Sequence, residues 1–274
     1  MTGNQLHELT AVRSARVQAV RRLGKRSFRS RERRFLAEGP QAVREALSST
    51  GGVLQLLATR EAAQRHNDLL DRAAAAKADV ALVTAEVMAA LSQTVTPQGL
   101  VAVCPFLDVP LDQVLATRPR LVVVLADARD PGNAGTVIRT ADAAGADAVV
   151  LAGSTVDPYN GKCVRASAGS IFHLPLTVDV AVVAALTTLR TAGLRVLAAD
   201  GEGAADLDQA ADAGDLDGPT AWVFGNEAWG LPAETRALAD AVIRVPIHGR
   251  AESLNLATAA AVCLYASARA QRHR

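Results

Sequence analysis

Residues 121–139, LVVVLADARDPGNAGTVIR, read as a strand, a tight turn and the opening of a helix in immediate succession. The run at 122–125 is unbroken, apolar and rich in β-branched side chains, the pattern of a strand covered on both faces in a parallel sheet. Pro131 and Gly132 turn the chain, and Asn133 is placed like a helix N-cap. Polar residues just beyond such a strand stand where α/β proteins hold their ligands.

The same alternation runs on toward the C-terminus. Strand candidates LVVVLAD, AVVLAG, HLPLTV, LRVLAAD, TAWVFG and AVIRVPI are separated by helices expected near 135–144, 162–168, 180–191, 233–239 and 254–270. Residues 121–274 are therefore expected to form one α/β domain with a mainly parallel sheet. Its last helix is rich in Ala, which suits ordinary interior packing and a close contact with a second copy equally well. Toward the N-terminus, FLAEG, VLQLLAT, VALVT and GLVAVCP alternate with PQAVREALSS, EAAQRHNDLLDRAAA and AEVMAALS, a smaller α/β domain over 35–105. The stretch 106–120, with a short helix candidate LDQVLA, reads as a linker.

Charge separates the two ends of the chain. The net charge is +1, yet residues 1–50 carry 11 Lys/Arg against 4 Asp/Glu, leaving an acidic remainder. Most of the positive charge lies in RVQAVRRLGKRSFRSRERR, a density that attracts phosphate backbones through counterion release, although a solvated helix face has the same composition. Residues 1–34 are taken as a basic arm or helix in which Phe28 could stack on a base. The three cysteines, Cys104, Cys163 and Cys263, are widely spaced and lack CxxC or Cys/His pairing. They suit a reducing cytoplasm, with no metal site. No segment has the uninterrupted apolar length of a membrane span, so no membrane partner is expected.

Three stretches at strand ends carry unusual residues: N-x-G-x-x-x-R (Asn133, Gly135, Arg139), G-N-E-x-x-G (225–230) and P-x-x-G-x-x-x-S-L-N (246–255). In this order and setting they resemble the SpoU family of RNA ribose methyltransferases, also called the TrmH family. FLAEGPQAVREAL and TPQGLVAV are similar to the substrate-binding domain of some members, whose fold is like that of a small ribosomal protein.

The resemblance implies a C-terminal trefoil-knot domain, S-adenosylmethionine as cofactor, a homodimer and a ribose 2′-hydroxyl of RNA as methyl acceptor. Ribosomal RNA is the expected class, because members acting on tRNA commonly lack the front domain. Arg139 matches the arginine the family places beside the 2′-hydroxyl. A guanidinium is a poor base, so holding the RNA phosphate and polarising the hydroxyl is its implied role. Asn133, Glu227, Ser253 and Asn255 match the family's other polar positions. The implied cofactor grip comprises Ala199, Asp200 and Gly201 after one strand, Phe224, Gly225, Asn226 and Gly230 after a second, and Val245, Pro246, Ile247, Ser253 and Leu254 after a third. Gly225 would make room for the cofactor, Glu227 would face the reaction centre, Trp229 would pack, and His248 would be a bystander. RNA contacts are expected from Arg22, Lys25, Arg26, Arg29, Arg33 and Arg165. Two alternatives stay open: a tRNA-modifying enzyme and a non-catalytic RNA-binding relative. Nucleotide-dependent oxidoreductases and P-loop enzymes lack their phosphate cradle here, since neither G-x-G-x-x-G nor G-x-x-x-x-G-K-[ST] occurs.

Overall fold

The computed structural model describes residues 7–272, so the ends of the expected arm and of the last domain, 1–6 and 273–274, lie outside the described residues. The chain divides into two compact units, Met1–Leu107 with Tyr159–His173, and Asp108–Pro158 with Leu174–Arg274.

The first unit contains β1 (Glu8–Leu9), α1 (Ala15–Arg22), α2 (Arg26–Glu32), β2 (Arg34–Glu38), α3 (Pro40–Ser48), β3 (Gln55–Thr59), α4 (Arg60–Arg65), α5 (Asn67–Ala75), β4 (Asp79–Val83), α6 (Ala85–Leu91) and β5 (Leu100–Pro105). Its sheet is mixed, in the order β1-β4-β3-β5-β2, with β5 antiparallel to both β3 and β2. The basic segment is not a free arm. Ser14 caps α1, and Val17, Val20 and Leu23 are buried in one core with Leu36, Leu57, Met88 and Leu91. The expected helix EAAQRHNDLLDRAAA is two helices, broken at His66, whose φ of −131° leaves the helical region.

The second unit begins with α7 (Leu111–Ala116), β6 (Leu121–Ala126), α8 (Pro131–Ala144) and β7 (Ala148–Ala152). The next helix, α9 (Gly161–Ala166), lies in the Tyr159–His173 segment and belongs to the first unit, not to the C-terminal domain in which the sequence reading put it. Aromatic contacts hold the segment there, Tyr159 lying 3.9 Å from Phe106 and 4.8 Å from Phe35 between ring centroids. The Leu107 N–H donates to the Tyr159 hydroxyl at 2.7 Å.

The second unit continues with β8 (Leu176–Val180), α10 (Val182–Thr191), β9 (Arg195–Ala199), β10 (Ala205–Asp206), α11 (Leu207–Asp212), β11 (Thr220–Phe224), α12 (Ala233–Ala237), β12 (Ala241–Arg244) and α13 (Leu256–Arg272). Its seven strands are all parallel, in the order β10-β12-β9-β11-β6-β7-β8. Every residue of β6, β7 and β11 is buried, as the apolar runs predict. Val122, Val124, Val150, Val196 and Val223 pack against Leu186 and Leu189 of α10. The alternate residues of β6 and β11 face the other way, where α8 and α13 cover the sheet. There the Trp222 indole N–H donates to Ser267 Oγ of α13 at 2.8 Å, satisfying the one polar atom of a fully buried ring. The β10–α11 pair went unforeseen, although Asp206 and Gln209 form a capping box.

Candidate functional site

The end of β6 sets the first corner. Asp127 has φ 56°, in the left-handed region that Asp tolerates better than most residues. Its carboxylate takes the Ser154 N–H at 2.6 Å. The N-cap of α8 is Asp130 rather than Asn133: the Asp130 carboxylate accepts the Asn133 N–H at 2.8 Å, and Pro131 opens the helix. A carboxylate three residues earlier takes the capping place and leaves the Asn133 amide free to reach outward.

The second corner follows β11. Asn226 N–H donates to Gly230 O at 3.0 Å and Gly230 N–H to Asn226 O at 2.9 Å, closing a tight loop. A Cβ on Gly225 would lie 2.4 Å from the Gly230 carbonyl, so this glycine is needed for the loop to close on itself, whatever cofactor lies nearby. Gly230 itself has φ 67°, which favours glycine. The Asn226 amide ties the loop down, donating to Asp127 O at 2.8 Å and accepting from Ala228 N–H at 2.8 Å.

The third corner follows β12 and leads into α13, whose first turn is capped by Asn255: its Oδ1 accepts the Ala257 N–H at 2.9 Å.

Side chains join these three corners. Asn255 Nδ2 donates to Asn133 Oδ1 at 3.0 Å, and Asn133 Nδ2 donates to Glu227 at 3.3 Å. The Glu227 carboxylate also accepts the backbone N–H groups of Arg129 and Asp130, at 3.2 and 3.3 Å. One residue from each motif is thus in a single hydrogen-bonded chain, and the Glu227 carboxylate braces the α8 entrance.

Beside this chain the strand ends of β9, β11 and β12 enclose a cavity of about 820 Å³. All twelve residues expected to grip the cofactor line it, and so do Glu227 and Asn255. The volume falls within the range of small-molecule sites. Apolar walls at Phe224 and Leu254 face acidic groups at Asp200, Asp206 and Glu252, which suits a ligand with a flat aromatic base and cationic centres. Two of these acids already have cationic neighbours, Asp200 being 3.5 Å from Arg236 and Asp206 3.6 Å from Arg244. Asp206, Arg244 and Glu252 escaped the sequence reading, because no motif marks them. The capping box around Asp206 was the available signal.

Arg139 stands apart. It is exposed, forms no hydrogen bond or ion pair among the described residues and does not line the cavity. Six residues along α8 place it ~9 Å beyond Asn133 and roughly 120° around the helix. Ser253 lines the cavity and is exposed. Trp229 does not pack as expected. It is 53% exposed, with the Arg129 guanidinium 4.9 Å above its ring.

The RNA candidates of the first unit divide. Arg29 is a correction: it is only 2% exposed and donates to Leu23 O at 2.9 Å, closing the end of α1. Arg22 and Arg31 lie over the Phe28 ring, which is half-buried, so that ring is already covered by cations. Arg33 lies over Phe106. Arg165 is 3.5 Å from Glu38, whose buried carboxylate also accepts the Gln93 N–H. Lys25 and Arg26 are exposed with no partner among the described residues.

Cys104 and Cys263 are buried, and burial pushes both thiols up, Cys263 to about 12, so neither offers a thiolate nucleophile. Among the described residues there is no group of three or more metal-ligating side chains and no helix long and apolar enough to cross a membrane.

Comparison with known proteins places the chain in a family. Residues 120–265 match the model of the SpoU rRNA Methylase family and residues 14–102 that of the MRM3-like substrate binding domain. The chain is 33% identical over 260 residues, 95% of this chain and 98% of the relative, to the 23S rRNA (guanosine(2553)-2′-O)-methyltransferase RlmP of Bacillus subtilis. Among solved structures, the AdoMet-bound rRNA methyltransferase from Sinorhizobium meliloti superposes with a TM-score of 0.86 at 32% identity, covering 97% of this chain and 98% of that one. The SpoU methyltransferase AviRb from Streptomyces viridochromogenes, in complex with AdoMet, gives 0.82 at 31% identity, covering 95% and 100%.

Proposed function

Because the chain belongs to the SpoU rRNA Methylase family, we propose that it transfers a methyl group from S-adenosylmethionine to a ribose 2′-hydroxyl of ribosomal RNA, of the 23S type. The observation that carries this reading is the hydrogen-bonded chain Asn255–Asn133–Glu227 at the mouth of the cavity, which unites the three motifs. The cofactor supplies a methyl group already activated on a sulfonium, so the protein's work is to align, to take up a proton and to exclude water.

The loops after β9, β11 and β12 would hold the cofactor, with Phe224 and Leu254 offering apolar surface to its base and the acidic lining offering charge to its cationic parts. Glu227 braces the first two corners rather than acting as base, since three donors already occupy it. Asn133 and Asn255 hold the ribose side of the pocket, with the Ser253 hydroxyl available to the acceptor nucleotide. Arg139, with no partner among the described residues, can take an RNA phosphate by paired hydrogen bonds and polarise the 2′-hydroxyl, whose proton passes to that phosphate. Lys25, Arg26 and Arg165 add RNA contacts from the first unit.

Three further features belong to this reading. The C-terminal part of the chain is tied in the family's trefoil knot. The protein is a homodimer that contacts its partner through α13, where Val262 and Tyr265, three residues apart on one helical face, are 40% and 54% exposed. It works in a reducing cytoplasm, which suits three buried cysteines, and needs neither membrane nor metal.

The test is direct. S-adenosylhomocysteine should raise the melting temperature while NAD should not, and 23S rRNA transcribed in vitro should gain labelled methyl at one ribose. No incorporation into ribosomal RNA, naked or assembled, would remove the activity.

A further inference from the structure

The chain has two tryptophans, and they differ completely. Trp222 is fully buried and hydrogen-bonded to Ser267 Oγ, whereas Trp229 leaves 53% of its surface in water. Exposing so large an apolar ring forfeits the burial that stabilises most tryptophans. Its setting is nonetheless rigid: the loop is closed by the Asn226–Gly230 pair and tethered through Asn226 to Asp127 O. Ala228 and Gly230 line the cavity on either side of it, while Trp229 does not, so the ring projects away from the cofactor space. Arg129 lies over the ring at 4.9 Å, and its N–H donates to Glu227. A planar cation and an indole thus meet beside the carboxylate that braces the motifs, Trp229 two residues after Glu227 in the chain and Arg129 held to that carboxylate through its backbone N–H.

We propose that Trp229, with Arg129, is a stacking platform for an unpaired RNA base adjoining the nucleotide that receives the methyl group; this rests on the RNA methyltransferase reading above. Stacking in a duplex restricts how far a ribose can turn its 2′-hydroxyl into a pocket, and an unpaired, splayed acceptor region removes that restriction. Splayed RNA bases are held by aromatic faces and guanidinium planes. The platform sets where the strand lies and leaves the bond-making to the residues inside the site.

The two tryptophans make the test spectroscopic, with full-length protein and 23S rRNA transcribed in vitro. Stacking should quench the wild-type emission on RNA addition, and W229F should lose that quenching. In methylation assays W229A should raise the KM for RNA about tenfold, within the range for one base–aromatic stack, with affinity for S-adenosylhomocysteine unchanged. W229F should recover most of that loss, because a phenyl ring still stacks. Unchanged KM in W229A together with no quenching in wild type, in a preparation that methylates RNA, would overturn the platform and leave the activity standing. A change in sedimentation for W229A without any change in RNA affinity would likewise overturn it, assigning the ring to contact with a second copy. A wild type that transfers no methyl to RNA would remove the underlying reading instead.

Discussion

At the strand ends of the second unit, side chains far apart in sequence bind one another, Asn133 to Glu227 across 94 residues and Asn255 to Asn133 across 122. Along the basic helices of the first unit, guanidiniums bind what lies beside them: Arg29 a carbonyl six residues back, Arg31 its neighbour Glu32 at 3.4 Å. A spaced motif survives folding as a site because its members still reach one another across the fold once any local capping bond is made. A dense charge run does not survive whole, because several of its cations turn to a nearby carbonyl, carboxylate or ring. Charge density thus marks a region, and only the fold says which of its charges are left for a ligand.

The sharpest way to break the motif side is Arg139→Ala. Methyl transfer should fall by a factor of about 10² to 10³, as when one transition-state donor is removed, while calorimetry should find S-adenosylhomocysteine binding within a few fold. Near-wild-type turnover would strip the residue of its proposed role. Next comes the coupling between corners. Asn133→Ala and Asn255→Ala each remove one link, so urea denaturation of the singles and the double should give an interaction energy of about 0.5–3 kcal/mol. Strict additivity would mean that the hydrogen bond between them contributes nothing.

The charge side is broken by a pair of contrasting variants. Arg29→Met leaves the Leu23 carbonyl without its buried donor and should cost about 1–3 kcal/mol of stability, with the salt dependence of RNA binding unaltered. The double variant Lys25→Ala/Arg26→Ala should do the reverse. Stability should hold, and the slope of log affinity against log salt should fall by about 1.4–1.8, since each phosphate contact contributes about 0.7–0.9. Deleting the whole segment would not separate the two effects, because it also removes Val17, Val20 and Leu23 from the core.

Much of this architecture was legible from the order of residues. The apolar run of β6 announced a covered parallel strand, and every residue of that strand is buried. The motif glycines and prolines marked the loops whose residues line the cavity. What stayed hidden depended on contacts that no local pattern encodes. Tyr159–His173 joins the first unit because Tyr159 stacks on Phe106 and packs at a tilt against Phe35, residues more than fifty positions away. Trp229 looked like packing because tryptophans usually pack. Gly225 lines the cavity as expected, but the atoms that a side chain there would meet belong to Gly230 and Leu231, a constraint of the loop itself that no local pattern shows. Asn133 lost its capping place to Asp130 because two adjacent turns offered two capable side chains, and only the backbone geometry decides between them.

The last effect is nil at neutral pH and concerns a thiol in the core of the second unit. Burial raises the Cys263 pKa from 9.0 to about 12, so the folded state holds the thiol neutral where the unfolded chain would ionise it. Below pH 9 both states keep the proton and the contribution is intact. Between about 9 and 12 the unfolded state has released a proton that the folded state retains, and stability falls by about 1.4 kcal/mol per pH unit from this one group. Cys263→Ala should flatten the alkaline limb of a stability profile by that slope, whatever constant offset the lost sulfur introduces. An identical slope in the variant would mean that the thiol ionises as readily in the native helix as in water. In that case α13 opens to solvent far more often than its packing against α8 and β11 implies.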